Sequence, residues 1–118
     1  MLRSSGVMIV LALAAVPAAG QEPATAIGRT LAQSLCVECH QVEANPTTQS
    51  RNPDAPRFAD VARMPSTTAL SIRVFLRSTH PTMPNFILGV EEIESLSAYI
   101  LGLADKQKSE QAPADIDH

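Results

Sequence analysis

The chain carries the stretch Cys36-Val37-Glu38-Cys39-His40, and this stretch decides its fold. Two thiols separated by two residues and followed at once by an imidazole form the arrangement that attaches a haem covalently. The spacing suits this chemistry because the thiols can form thioethers with the two vinyl groups on one edge of the porphyrin. The next residue is then held beneath the iron, so His40 is predicted to be the proximal ligand.

Three other interpretations of the motif stay open. A disulfide between the two cysteines would close a very small, strained loop and leave the histidine without a role. A thioredoxin-like redox pair follows a buried strand in a βαβ unit, but residues 26–35 have a helical pattern. A structural zinc site needs four ligands, and beyond the motif only His80 and His118 remain as histidines. Each alternative explains less of the motif than haem attachment does.

The motif near the start of the chain and Met83-Pro84-Asn85 further on resemble the small monohaem c-type cytochromes of class I, of the bacterial periplasmic type with histidine–methionine ligation. The resemblance covers residues 26–103. It implies an all-α fold of about three to five helices wrapped around one haem c per chain. It also implies that a proline carbonyl holds the proximal histidine, and Pro56 is the best match.

Other residues fit the same family. A glycine is expected in the first helix, and Gly28 matches it. An aromatic residue near the end of the final helix is expected to pack across the first helix, and Tyr99 matches it. One position departs from the pattern, because Ala32 stands where the family often has an aromatic residue four positions before the first cysteine.

Met83 is the candidate distal ligand of the iron. It lies between Pro81 and Pro84 rather than on a periodic helix, and Pro84 favours an extended backbone at Met83. The resemblance therefore implies axial ligation of the iron by His40 and Met83. Two alternatives are Met64, which also precedes a proline, and His80, which would bind ferric iron more strongly and lower the potential.

The N-terminus has the pattern of an export signal. Arg3 supplies a positive charge, residues 7–16 form an apolar run, and Ala18-Ala19-Gly20 forms a small-residue cleavage site before Gln21. A membrane-spanning helix needs about 20 apolar residues, so a retained anchor is the less favoured alternative. We therefore predict a signal peptide at 1–20, a cytochrome domain at 21–104 and a disordered polar tail at 105–118, with periplasmic location and no stable membrane insertion after cleavage.

The charge of the chain bears on its partners. The formal net charge is −3, from 9 basic and 12 acidic residues, and loss of Arg3 with the signal would make it −4. Such a chain is a poor nucleic-acid binder. Most acids lie after residue 80, whereas the central segment contains a set of arginines: Arg51, Arg57, Arg63, Arg73 and Arg77. This split either steers a redox partner or forms ordinary solvated surfaces.

The pattern of apolar residues predicts three helices and no strand. Residues 21–25 are expected to be disordered, residues 26–35 helical and residues 41–56 a proline-containing loop. A second helix is expected from an N-cap at Ser66 to Arg77. The third is expected to start near Gly89, with an apolar stripe formed by Val90, Ile93, Leu96, Ile100 and Leu103.

The resemblance implies a monomeric one-electron carrier rather than an enzyme. Its expected partners are redox proteins, such as a dehydrogenase, a cytochrome complex or a terminal oxidase. Two alternatives stay open: a haem enzyme or gas sensor with a labile distal ligand, and a haem subunit dedicated to one dehydrogenase or oxidase.

Overall fold

The structure, a computed structural model, describes residues 21–45 and 47–111. These residues form helices α1 (Gln21–Leu31), α2 (Phe58–Arg63), α3 (Ala69–Arg77) and α4 (Val90–Gln111), and a π-helical turn at Ala32–Cys36. In this part of the chain the only β-type pairing is an isolated bridge between His80 and Met83. The predicted all-α fold is confirmed.

Helices α1 and α4 cross in close contact at Gly28. A Cβ atom on Gly28 would clash with the backbone carbonyl of Ser95 and lie 2.8 Å from the Cβ of Tyr99. Ser95 and Tyr99 both belong to α4 and are both buried. Glycine is therefore needed at this crossing because no other residue lets the two backbones approach so closely.

The core lies along the buried face of α4. Four of the five residues predicted to form the apolar stripe of this helix are buried, and Val90, in its first turn, is 55% exposed. The α4 stripe packs against side chains from the other helices and from the loop after the motif. These buried partners are Ala32, Val42, Phe58, Ala62 and Ile72.

The predictions for the two ends of the domain are partly wrong. Residues 21–25 belong to α1 instead of being disordered, and Pro23 is compatible with the first turn of a helix. Residues 105–111 continue α4 instead of starting the polar tail. Their lysines, glutamines and glutamate are strong helix formers, so polarity alone was a poor indicator of disorder. The predicted signal peptide and residues 112–118 lie outside the described residues.

Helix α3 begins two residues later than predicted. Its N-cap is Thr68, whose hydroxyl accepts a hydrogen bond from the Ser71 N–H at 3.0 Å. The Ser71 hydroxyl in turn accepts one from the Thr68 N–H at 2.8 Å. This reciprocal capping box outcompetes Ser66 as the start of the helix. The predicted end at Arg77 is confirmed.

The predicted first helix changes its winding before the motif. After Leu31 the chain continues as a π-helical turn, in which the Val37 N–H donates to the Ala32 carbonyl at 3.2 Å. Such turns are rare and often lie at functional sites. Neither this turn nor the short helix α2 was predicted, whereas the described part of residues 41–56 is a loop, as expected.

Candidate functional site

The π-helical turn places the two cysteines and the histidine of the motif in one tight turn. The Cys36 carbonyl accepts hydrogen bonds from the N–H groups of Cys39 at 3.2 Å and His40 at 2.9 Å. Both thiols are free and partly buried. Burial raises the pKa of the Cys36 thiol to about 11, so that thiol is neutral at physiological pH.

The imidazole of His40 is held from one side. Its Nδ1 lies 2.7 Å from the carbonyl oxygen of Pro56, and its ring packs at a tilt against Phe58, with 5.2 Å between the ring centroids. A carbonyl can only accept a hydrogen bond, so Nδ1 is the donor, and in the neutral imidazole Nε2 then keeps its lone pair. A metal-binding histidine in proteins has this tautomer and this kind of partner.

The backbone after His40 is fixed by two helices. The Phe58 N–H, at the start of α2, donates to the Gln41 carbonyl at 2.9 Å. The Tyr99 hydroxyl, on α4, donates to the Val42 carbonyl at 2.7 Å. Because Tyr99 and Val42 are both buried, this segment is tied to the core of the domain.

Glu43 extends the same attachment to α1. Its Oε1 accepts hydrogen bonds from Arg29 Nε at 2.9 Å and Gln33 Nε2 at 2.7 Å, and its Oε2 lies 3.4 Å from the Tyr99 hydroxyl. Burial acts to raise the pKa of Glu43, but the hydrogen bonds from Arg29 and Gln33 outweigh it and lower the pKa. Burial, followed by the nearby Glu43 charge, raises the pKa of Tyr99 to about 12.

A cleft lies between the end of the π-helical turn, α3 and the loop before α4. It contains about 400 Å³ of empty space, part of it open to solvent. Most of the lining is apolar and comes from three separate parts of the chain: Leu35, Cys36, Phe75, Leu76, Ser78, His80, Met83, Pro84, Asn85, Phe86, Leu88 and Leu96.

The candidate distal ligands differ in whether they line this cleft. Met83 and His80 both line it, whereas Met64 lies at the end of α2, is 49% exposed and does not. The His80 ring stacks on Phe75 with 3.6 Å between centroids. Cys36 and Met83 both line the cleft. His40 does not line it, but its N–H donates to the carbonyl of Cys36, which does.

These residues fit a covalently attached haem. Two free thiols flank one turn, His40 keeps an available nitrogen, and the adjacent cleft offers a thioether and apolar walls. Two of these walls, Phe75 and Phe86, are 47% and 37% exposed, and a flat apolar ring would cover them. Across the described residues no three His, Cys, Asp or Glu side chains cluster as a metal-ion site, so the zinc alternative gains no support.

The central arginines are mostly neutralised by nearby acids. Arg57 and Arg63 both pair with Asp60, Arg51 lies 3.5 Å from Glu38, and Arg73 lies 3.3 Å from Glu94. Arg77 is exposed and forms no ion pair within the described residues. The free positive charge of the central segment is therefore smaller than its sequence indicates.

Three residues of the site escaped the sequence analysis in their present roles: Phe58, Glu43 and the hydroxyl of Tyr99. A buried tyrosine hydroxyl needs a hydrogen-bond partner, which signals that Tyr99 has one without indicating which. Glu43 and Phe58 carry no such local signal because their contacts depend on how distant segments pack.

Comparison with known proteins agrees with this geometry. The family model for cytochrome c matches residues 25–104, which is more than half of the chain. No curated protein and no solved structure gives a significant match. The matched region contains the motif, the Pro56 loop and the cleft, and the chain therefore belongs to the cytochrome c family and carries haem c.

Proposed function

We propose that this protein is a periplasmic one-electron carrier in which Cys36 and Cys39 bind the haem, and His40 and Met83 ligate its iron. The observation that carries the proposal is the 2.7 Å contact between His40 Nδ1 and the Pro56 carbonyl, which orients the ring and leaves Nε2 for iron. The presence of Met83 in the adjacent cleft supports the second ligand.

When bound, the haem supplies an Fe(III)/Fe(II) couple that accepts one electron from a donor protein and gives it to an acceptor. The Pro56 carbonyl makes the His40 imidazole a stronger electron donor, which favours the ferric state. The Met83 thioether acts in the opposite direction and favours the ferrous state. The apolar cleft walls limit the access of water, which also tunes the potential.

The exported location is supported by the signal pattern of residues 1–20. None of the helices in the described residues combines the length and apolarity needed to span a bilayer. Intact mass of the exported protein under denaturing conditions tests the cleavage of the signal and the covalent attachment of the haem. We expect one haem still attached and Gln21 as the first residue; haem that extracts into acid–organic solvent would rule out thioether attachment.

A labile distal site is the second candidate, and His80 is the observation that favours it. His80 is three residues from Met83 and lines the same cleft, so it can replace methionine if the loop opens. A sensor or enzyme would use such an exchange, whereas an electron carrier keeps both axial positions filled. The stacking of His80 on Phe75 holds the ring in place and favours the carrier.

The test of the ligands is the ferric optical spectrum of three matched variants. Met83→Ala should abolish the weak long-wavelength band of methionine–iron bonding, lower the potential and keep the haem attached. Met64→Ala and His80→Ala should retain the band. If Met64→Ala loses it, the methionine assignment is wrong; if only His80→Ala alters the ligand field, the distal ligand is histidine.

A further inference from the structure

The Tyr99 hydroxyl donates to the segment that follows His40 and lies beside Glu43 of that segment, and the proposed haem attachment and ligation use neither group. We propose that Tyr99 and Glu43 are positioning residues for His40, acting through the backbone to hold its imidazole against Pro56 and so to set the reduction potential. This inference rests on the proposed function, in which His40 is the proximal ligand.

The first step is the bond from Tyr99 to Val42. The hydroxyl donates to the Val42 carbonyl at 2.7 Å, across a sequence separation of 57 residues. Tyr99 is 4% exposed and Val42 is 1% exposed, so water cannot readily replace the lost partner if either group moves. The bond therefore fixes the backbone two residues after His40 to α4.

The second step is the orientation of the Tyr99 hydroxyl. Glu43 Oε2 lies 3.4 Å from it, and the other oxygen of the same carboxylate is held by Arg29 and Gln33. The carboxylate is thereby placed beside the hydroxyl by two residues before the motif, in α1 and the π-helical turn. Residues before the motif, Arg29 and Gln33, and residues after it, Val42 and Glu43, therefore meet at this cluster.

The third step links the cluster to the iron. The His40 side chain is held by Pro56 and its following backbone by Tyr99, so the position of the ring relative to the Pro56 carbonyl depends on both. Release of Val42 allows the backbone to relax and weakens the bond at Nδ1. A weaker bond makes the imidazole a poorer donor and destabilises the ferric state, so the potential should rise.

The experiment compares Tyr99→Phe with Ser97→Ala in the haem-loaded protein. Both changes remove a buried hydroxyl of α4 that donates to a backbone carbonyl at 2.7 Å, but Ser97 bonds to Ile93 within the same helix. The readouts are the reduction potential and the exchange rate of the His40 Nδ1 proton by NMR. In Tyr99→Phe we expect a higher potential and exchange roughly fivefold faster, with neither change in Ser97→Ala.

Glu43→Gln is the second variant, and it should shift both readouts in the same direction by a smaller amount. It carries the test if Tyr99→Phe fails to fold. If Tyr99→Phe loses stability while its potential and His40 exchange match those of Ser97→Ala, Tyr99 is only structural and the inference is overturned. The wild-type spectrum separates this from failure of the proposed function: if the His40 ring protons are not shifted by the iron, His40 is not the ligand at all.

Discussion

Between Cys39 and Phe58 the chain receives hydrogen bonds from three helices, whereas the loop between α3 and α4 receives almost none. Arg29 of α1, Phe58 of α2 and Tyr99 of α4 all bond to residues 41–43. Within residues 79–88, all of which the structure describes, the backbone pairing is limited to the His80–Met83 bridge, and His80 also stacks on Phe75. The histidine side of the site, residues 39–43, is thus fixed by the protein itself.

The methionine side of the site, residues 79–88, has the opposite character. Its loop exposes apolar side chains, including Ile87, which is fully exposed. Exposed apolar side chains gain little from the protein alone, and under the proposed ligation a haem and a methionine–iron bond would add contacts to this loop. Under the proposed ligation, the polypeptide therefore fixes one half of the haem site and the cofactor completes the other.

The strongest way to break the histidine side is at the helix crossing. Gly28→Ala would force α1 away from α4 and should lower the free energy of unfolding by about 3 kcal/mol. The matched control is Gly102→Ala, where a new Cβ meets nothing within 4 Å. Because alanine is the better helix former, this control should stabilise the protein by up to about 1 kcal/mol. Thermal unfolding of both variants checks the pair, and equal effects would contradict the crossing.

The methionine side can be loosened without touching a ligand. Leu88 lines the cleft and is partly buried, whereas its neighbour Ile87 is exposed. Leu88→Ala should remove about 1 kcal/mol of packing from the loop and speed cyanide binding to the ferric protein roughly fivefold. Ile87→Ala should leave the rate unchanged. A faster rate in the Ile87 variant alone would show that the loop packs differently.

Arg77 tests whether charge near the methionine side contributes to association with a redox partner. It ends α3, and its neighbours Leu76 and Ser78 line the cleft, while Arg63 is already paired with Asp60. Arg77→Glu should therefore slow association with the redox partner by about two- to threefold at low salt and reduce its salt dependence. Arg63→Glu should have the smaller effect. Stopped-flow rates that ignore ionic strength in the wild type would remove any role for these arginines in docking.

The smallest expected effect is the acid sensitivity of the histidine side. The fold lowers the pKa of Glu43 from its ordinary value of 4.5, so its contribution to stability is present above that value. The contribution is lost as the pH falls through the lowered pKa, because the unfolded state then binds the proton more readily. Its partly exposed position limits the effect to a few tenths of a kcal/mol. Urea unfolding of wild type and Glu43→Gln should therefore differ less at pH 3 than at pH 7.

The sequence predicted the histidine side better than its attachments. The motif is a short pattern with a direct chemical reason, and it carried the family resemblance that implied Pro56 and Gly28. The structure contains both the His40–Pro56 contact and the close crossing at Gly28. The bonds of Tyr99 and Glu43 depend on the packing of segments more than fifty residues apart along the chain. No local pattern encodes such pairs, so they could be found only from the structure.

Helix ends and surface charge were predicted less well for related reasons. The N-cap of helix α3 is Thr68 instead of Ser66 because Thr68 and Ser71 form a capping box. Several nearby hydroxyls could have formed such bonds, so the sequence alone did not identify the N-cap. The five arginines form an excess of positive charge in the sequence, but acids such as Asp60 and Glu94 lie beside them in the fold. Ion pairing depends on which side chains share a surface, and the order of residues does not reveal that.

Under the proposed ligation, the protein itself fixes the His40 segment, whereas the iron bond fixes the Met83 loop. Hydrogen exchange of the ferrous protein, followed residue by residue in increasing urea, tests it most directly. We predict that amides in residues 79–88 open at a lower free energy than those of residues 39–43, and that Met83→Ala removes the protection of the loop alone. If both segments opened together at the same free energy in wild type and variant, the claim would be contradicted.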